Sequence, residues 1–257
     1  MMKKKSIRLL LGLLTFSLFF ILLFYDKAGA TPYVKKQEQA AQSVTSISGL
    51  DLTAEKEEPV IRLDVPLESQ FDPEYLGNGC EVTALSMLLN FYGYDTNKNE
   101  LAAKLDYVPV YADETHRGDP REGFVGNIYG GDGAMGVAVE PIAKVASQMV
   151  GASYQVVSGR GKSFDEIIEV LEQGTLIWMI ATLELQVPTN ADFFEWPTQS
   201  GMIYETTLIH SVVITGIDGD KMYVNDPYGY KDREVSRDDL QEIYEQMDQQ
   251  YLYLSEK

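Results

Sequence analysis

Four side chains in this sequence have the types needed for thiol-based acyl transfer. Cys80 is the only cysteine of the 257 residues, in the run Gly77-Asn78-Gly79-Cys80-Glu81-Val82-Thr83-Ala84-Leu85. Glycines precede it and an apolar helical pattern follows it. A thiol in the first turn of a helix meets free N–H groups and the positive end of the helix dipole, which favour its thiolate. With no second cysteine it cannot close an internal disulfide. His210, one of only two histidines, lies in the apolar run Leu208-Ile209-His210-Ser211-Val212-Val213-Ile214. A histidine buried in a strand needs a partner for its ring nitrogens. Asp226 ends the following strand, in Asn225-Asp226-Pro227-Tyr228-Gly229. Paired strands lie about 5 Å apart, so this acid can reach the histidine on the neighbouring strand.

Each residue alone also has a plainer reading: a small buried hydrophobe, a satisfied core histidine, a turn at Asn-Asp-Pro. As one unit they make chemical sense. The thiolate attacks, the histidine takes the thiol proton and returns it to the leaving amine, and the acid orients the ring. The backbone N–H of Cys80 would face a developing oxyanion, and the amide of Gln70, in Glu68-Ser69-Gln70, is the best candidate for the second, uncharged donor that is required, a surface glutamine without a role being the plainer reading. Glu81 is the discordant neighbour. A carboxylate beside the sulfur raises the thiol pKa unless it points away along the helix.

The elements that must position these groups are legible in the pattern. Val60–Pro66 alternates as a short strand. Cys80–Tyr92 is the strongest helix, stopped by Gly93, and Asn97–Leu105 a second with Asn97 and Glu100 in capping-box spacing. Tyr107–Met135 is a long Gly- and Asp-rich loop containing His116, of a length usual for functional segments. Val137–Val150 reads as a helix, Tyr154–Val157 as a strand, and Ser163-Phe164-Asp165-Glu166 as the capping box of a helix that Gly174 closes. Leu176–Leu183 is a buried strand. Leu208–Ile217 and Lys221–Asn225 form a hairpin through Asp218-Gly219-Asp220. Ser236 with Asp239 opens a last helix, and Tyr251–Leu254 closes the domain as a strand. Helices first and an antiparallel sheet later make the class α+β.

Residues 1–30 read as a signal peptide or N-terminal membrane anchor: a basic Lys3-Lys4-Lys5 start, an uncharged run from Leu9 to Tyr25, and the cleavage-like Ala28-Gly29-Ala30. Residues 31–59 read as a flexible linker, and 60–257 as a single domain. The positive-inside bias puts that domain outside the cytoplasmic membrane, secreted or anchored to its outer face. Net charge is −18, and the N-terminal segment holds a basic excess, so the domain is more acidic still. Such a surface excludes nucleic acid as a partner and leaves the membrane only to the N-terminal segment. Asp113, Glu114, His116 and Asp119 match no metal-ligand spacing, and Tyr129-Gly130-Gly131-Asp132-Gly133 lacks the strand and lysine of a phosphate loop. No cofactor is called for. Trp178 reads as core, and Trp196, beside Pro197, as a cleft contact.

The strings Leu63-Asp64-Val65-Pro66-Leu67-Glu68-Ser69-Gln70 and Gly79-Cys80-Glu81-Val82-Thr83-Ala84-Leu85-Ser86-Met87-Leu88-Leu89-Asn90 resemble the opening of papain-like bacterial cysteine peptidases. The group is the one related to the peptidases that process bacteriocin leaders after a double glycine. His210–Gly216 and Val224–Gly229 resemble its histidine and acid blocks, and Gly118-Asp119-Pro120 with Gly123–Asn127 resembles its stand-alone exported members. The resemblance covers residues 60–230 and implies a papain-like fold, a helical half carrying Cys80 against a sheet half carrying His210. It implies Cys80 as nucleophile, His210 as base, Asp226 as orienting acid and Gln70 as oxyanion donor. The expected function is an exported thiol hydrolase cleaving peptide bonds through a thioester, with peptide or protein substrates, cell-envelope peptides among them. Acyl or amide transfer, cell-wall peptide hydrolysis with the same triad, and a non-catalytic surface-binding domain are the alternatives. The transporter and ATP-binding regions of the leader-processing enzymes do not accompany the domain, and Glu81 stands where papain has an aromatic residue.

Overall fold

The computed structural model describes residues 60–257 apart from Asp132; the expected signal segment and linker lie outside the described residues. In chain order the elements are β1 (Val60–Arg62), α1 (Cys80–Phe91), α2 (Lys98–Ala102), β2 (Tyr107–Val108), β3 (Phe124–Val125), α3 (Val139–Met149), β4 (Tyr154–Gly159), α4 (Phe164–Glu172), β5 (Ile177–Thr182), β6 (Phe193–Thr198), β7 (Gly201–Thr206), β8 (Ile209–Asp218), β9 (Lys221–Asp226), β10 (Tyr230–Ser236), α5 (Arg237–Gln246) and β11 (Tyr251–Glu256). This is an α+β fold of the papain-like kind, as the sequence predicts.

The main sheet has seven strands, all antiparallel, in the order β10-β9-β8-β5-β11-β4, with β1 added to β8. Its centre is β5, whose six residues are all buried. An apolar strand without alternation is covered on both faces. Helix α1 packs on β8 and β5, and α4 and α5 pack on β5. All residues of α1 from Cys80 to Leu89 are buried, so this helix is the spine of the domain rather than a surface element. Gly216 of β8 sits under β1: a Cβ there would lie 2.3 Å from the Ile61 carbonyl oxygen. Only glycine lets the two backbones approach this closely.

The capping expectations hold. Asn97 accepts from the N–H groups of Asn99 and Glu100, and Ser163 and Glu166 form a reciprocal capping box. Several features differ from the sequence reading: α2 is shorter than Asn97–Leu105, and the paired strands β2 and β3 interrupt the long loop. The segment after β5 contains a separate two-stranded hairpin, β6 with β7. Pro197 in β6 masks it, since proline argues against a strand except at an edge, and this hairpin consists of edges. Strand β10, polar and largely unburied, extends the main sheet at its outer edge. Trp196 corrects a further expectation. It is 6% exposed, donates from Nε1 to the Gly118 carbonyl at 2.8 Å, and forms a small core with Val125 and Met135. The indole anchors the long loop and is no exposed cleft contact.

Candidate active site

Cys80 is the first residue of α1, with Gly79 as its N-cap. Gly79 contributes no side-chain cap, and Cys80 lines a small pocket of about 120 Å³. Gln70, Cys80, Glu81, Gly136, His210 and Tyr228 are among the residues lining it. The pocket thus gathers the thiol, the histidine and the glutamine singled out from the sequence.

Strands β8 and β9 set the histidine and its acid. Val213 faces Asn225 across the pair, so Asp226 falls diagonal to His210 on the same face. His210 Nε2 and Asp226 Oδ1 are 2.7 Å apart, and both side chains are 1% exposed. Asp226 is saturated: Oδ1 also accepts the Tyr228 N–H at 2.9 Å, and Oδ2 accepts from Arg233 Nη1 at 2.8 Å. Burial opposes its charge, but the bonds from His210, Tyr228 and Arg233 outweigh that and hold the carboxyl below its ordinary range. Arg233 in turn binds the Glu184 carbonyl at 3.0 Å and carboxylate at 2.8 Å. Neither Arg233 nor Glu184 stood out in the sequence. The guanidinium on polar β10 reaches the acid only because that strand pairs with β9.

With Nε2 on Asp226, the other ring nitrogen of His210, Nδ1, is buried and has no hydrogen-bond partner among the described residues. Tyr228 packs edge-on against the imidazole at 4.8 Å, Phe71 lies 4.9 Å from Tyr228, and Tyr75 lies 5.6 Å from Phe71. Phe71 and Tyr75 are exposed, so an aromatic row runs from the histidine to the surface.

Gln70 is tied to the acid loop, its N–H donating to the Pro227 carbonyl at 2.8 Å. Its side chain is 1% exposed. One amide hydrogen goes to the Gly77 carbonyl at 2.9 Å. Nε2 also donates to the Leu76 carbonyl at 3.4 Å, while Oε1 is buried with no hydrogen-bond partner among the described residues.

Glu81 does not turn away from the sulfur. Cys80 Sγ donates to Glu81 Oε2 at 3.3 Å, while Glu81 Oε1 accepts the Val137 N–H at 3.0 Å. The Glu81 carbonyl accepts from Trp178 Nε1 at 3.0 Å. Gly136, at φ +79°, is shaped to this carboxyl: a Cβ there would lie 2.3 Å from Oε1. Burial pushes the Cys80 thiol well above its ordinary range, and the Glu81 and Asp226 charges add to it. The N–H at the helix start opposes this as the sequence suggests, but it is the smaller effect. Burial also raises the Glu81 carboxyl, against the hydrogen bonds it receives.

The remaining candidates lie elsewhere. His116 is partly exposed and pairs with Asp113 within its own loop, Nδ1 to Oδ2 at 2.9 Å, and Asp119 binds Arg121. Beyond the small pocket lies a larger cavity of about 810 Å³, walled in part by β7, and Ile209 lines both.

Comparison with known proteins identifies the family. The family model described as the Peptidase_C39 like family matches residues 62–252. The uncharacterized protein YvpB of Bacillus subtilis is 35% identical over 248 residues, covering 96% of this chain and 97% of that protein. The crystal structure of a candidate C39-like peptidase from Bacillus anthracis superposes with a TM-score of 0.72 at 30% identity, covering 78% of this chain and 99% of that one. The match spans the helix that begins at Cys80 and the strands of His210 and Asp226, and by it the chain belongs to the C39-like peptidase family.

Proposed function

We propose that the chain is an exported cysteine peptidase using Cys80, His210 and Asp226. The observation that carries this reading is the state of His210. One ring nitrogen is held by a buried aspartate at 2.7 Å and the other is buried without a partner in the pocket that Cys80 lines. A core histidine kept for stability would have both nitrogens satisfied. This one has an open ring nitrogen, and its residue lines the same pocket as the thiol.

Nδ1 takes the thiol proton, and the ring is oriented by Asp226 through Nε2. The sulfur adds to the substrate carbonyl carbon, and the oxyanion is met by the Cys80 N–H and by the Gln70 amide, whose Nε2 exchanges its 3.4 Å bond to the Leu76 carbonyl for the oxyanion. The C–N bond breaks as the imidazolium returns its proton to the leaving amine. Water, deprotonated by the same nitrogen, then cleaves the thioester. The adjoining 810 Å³ cavity has room for several residues of a polypeptide substrate. An N-terminal export segment suits a substrate at or outside the cell envelope, including envelope peptides.

The test is digestion of a diverse peptide mixture and of envelope peptides, read by mass spectrometry, with wild type, Cys80→Ala and His210→Ala. New C-termini made by wild type and by neither variant support hydrolysis. Products joined to added amines instead identify a transferase. Binding without products identifies a non-catalytic domain.

A further inference from the structure

The contact between Cys80 and Glu81 has no place in a plain cysteine–histidine mechanism. A thiol whose proton is held by a carboxylate is not offered to a base, and leaving it as a thiolate there would set two anions 3.3 Å apart, with Asp226 nearby. Yet the fold is built around this carboxyl. Its second oxygen is fixed by the Val137 N–H, its backbone by Trp178, and Gly136 leaves it the space it fills. We propose that Glu81 is an acid-operated catch on the nucleophile: Cys80 becomes a competent thiolate only when the Glu81 carboxyl carries a proton. This rests on the triad reading and refines it.

The proton count is simple. In the latched state Sγ holds its proton and donates it to the ionised Glu81, and His210 is neutral. One proton from solvent binds Oε2. The S–H bond then breaks as the proton passes to His210 Nδ1, giving an imidazolium held by Asp226. The thiolate now accepts a hydrogen bond from the Oε2–H where a negative charge stood before. The competent state holds one proton more than the latched state, so its share grows as pH falls until further protonation removes the thiolate itself. The charged groups around the catch are His210, Asp226 and, behind it, Arg233 with Glu184. Asp226 and Arg233 are already ionised and paired and do not change state in this range. A Glu81 that only holds the Gly136 loop and keeps its charge throughout would shift the thiol upward by a constant amount and leave a rate that climbs with pH.

Cys80 is the only cysteine, so alkylation of the full chain reads this sulfur without interference. Rates with iodoacetamide are measured from pH 4.5 to 8 for wild type, Glu81→Gln and His210→Ala. Glutamine keeps an acceptor for the Val137 N–H and cannot ionise. The wild-type rate is expected to fall at least tenfold between pH 5 and 7.5, while Glu81→Gln stays level over that range and exceeds wild type at least tenfold at pH 7.5. Equal profiles in the two proteins overturn the proposal, as does a Glu81→Gln rate below wild type throughout in a protein of native melting temperature. Should that variant fail to fold, the wild-type profile decides: a rate that climbs steadily with pH, as for a free thiol, overturns the catch. Peptide cleavage is scored separately. Cleavage with unchanged pH profiles defeats the catch alone, and the predicted profiles without cleavage defeat the peptidase reading alone.

Discussion

Replacing Asp226 by asparagine tests how the histidine is held. The carboxylate accepts from His210, the Tyr228 N–H and Arg233 while fully buried. Removing one member of a buried charged set typically costs about 3–5 kcal/mol, because its partners are left unmatched. Two circumstances reduce that here. Asparagine keeps one acceptor oxygen, enough for His210 and Tyr228. Arg233 retains Glu184 and is 22% exposed, so water can reach it. What is lost is chiefly the charge-assisted bond to Arg233, and the expected destabilisation at pH 7 is about 2–3 kcal/mol. Because the carboxyl is held below its ordinary range in the fold, its contribution is fully present above the unfolded value near 4 and disappears as pH falls through the folded value. The stability gap should therefore be open at pH 7 and close as pH falls below about 4. Urea unfolding at a series of pH values, followed by the fluorescence of the buried Trp178 and Trp196, measures it. Turnover should fall by about 10²–10⁴, since an amide neither stabilises the imidazolium nor fixes its tautomer. A variant as stable as wild type at pH 7 and equally active would refute the claim that Asp226 holds His210.

Other substitutions probe the surrounding contacts. Gln70→Ala removes the proposed oxyanion donor and should lower kcat by about 10²–10³ with KM little changed; an unaltered kcat would remove Gln70 from the chemistry. Arg233→Met strips a cation from Asp226, so the acid limb of the pH–rate profile should move to higher pH, by an effect worth about one power of ten in rate at pH 5. Gly136→Ala combines a left-handed backbone with a clash against Glu81, and urea unfolding should show a loss of about 1–3 kcal/mol.

Much of this was legible in the sequence because it depends on local rules. A glycine before an apolar helical run placed Cys80 in a first turn, and a tight Asp-Gly-Asp turn fixed the strand pair that brings Asp226 to His210. What was not legible depends on tertiary neighbours. The direction of the Glu81 carboxyl is decided by the Val137 N–H, 56 residues away in sequence, and by the space at Gly136. Arg233 reads as a surface charge on a polar strand until β10 joins the sheet edge. The indole of Trp196 looked available because it stands beside a proline in a polar stretch. Its burial depends on the long loop folding back over the β6–β7 hairpin, which no pattern within that hairpin announces.

Strand β1 bears on how the domain would respond to load. A pull on the chain ahead of Val60 enters the fold through three residues clipped to the far end of β8, Val60 opposite Asp218 and Arg62 opposite Gly216. His210 lies near the other end of the same strand, where β5 pairs it at Ala181. A short clip peels before a long central ladder shears. In mechanical terms β1 is a fuse: tension on the chain ahead of it would be spent opening it while the His210 end of β8 stays seated.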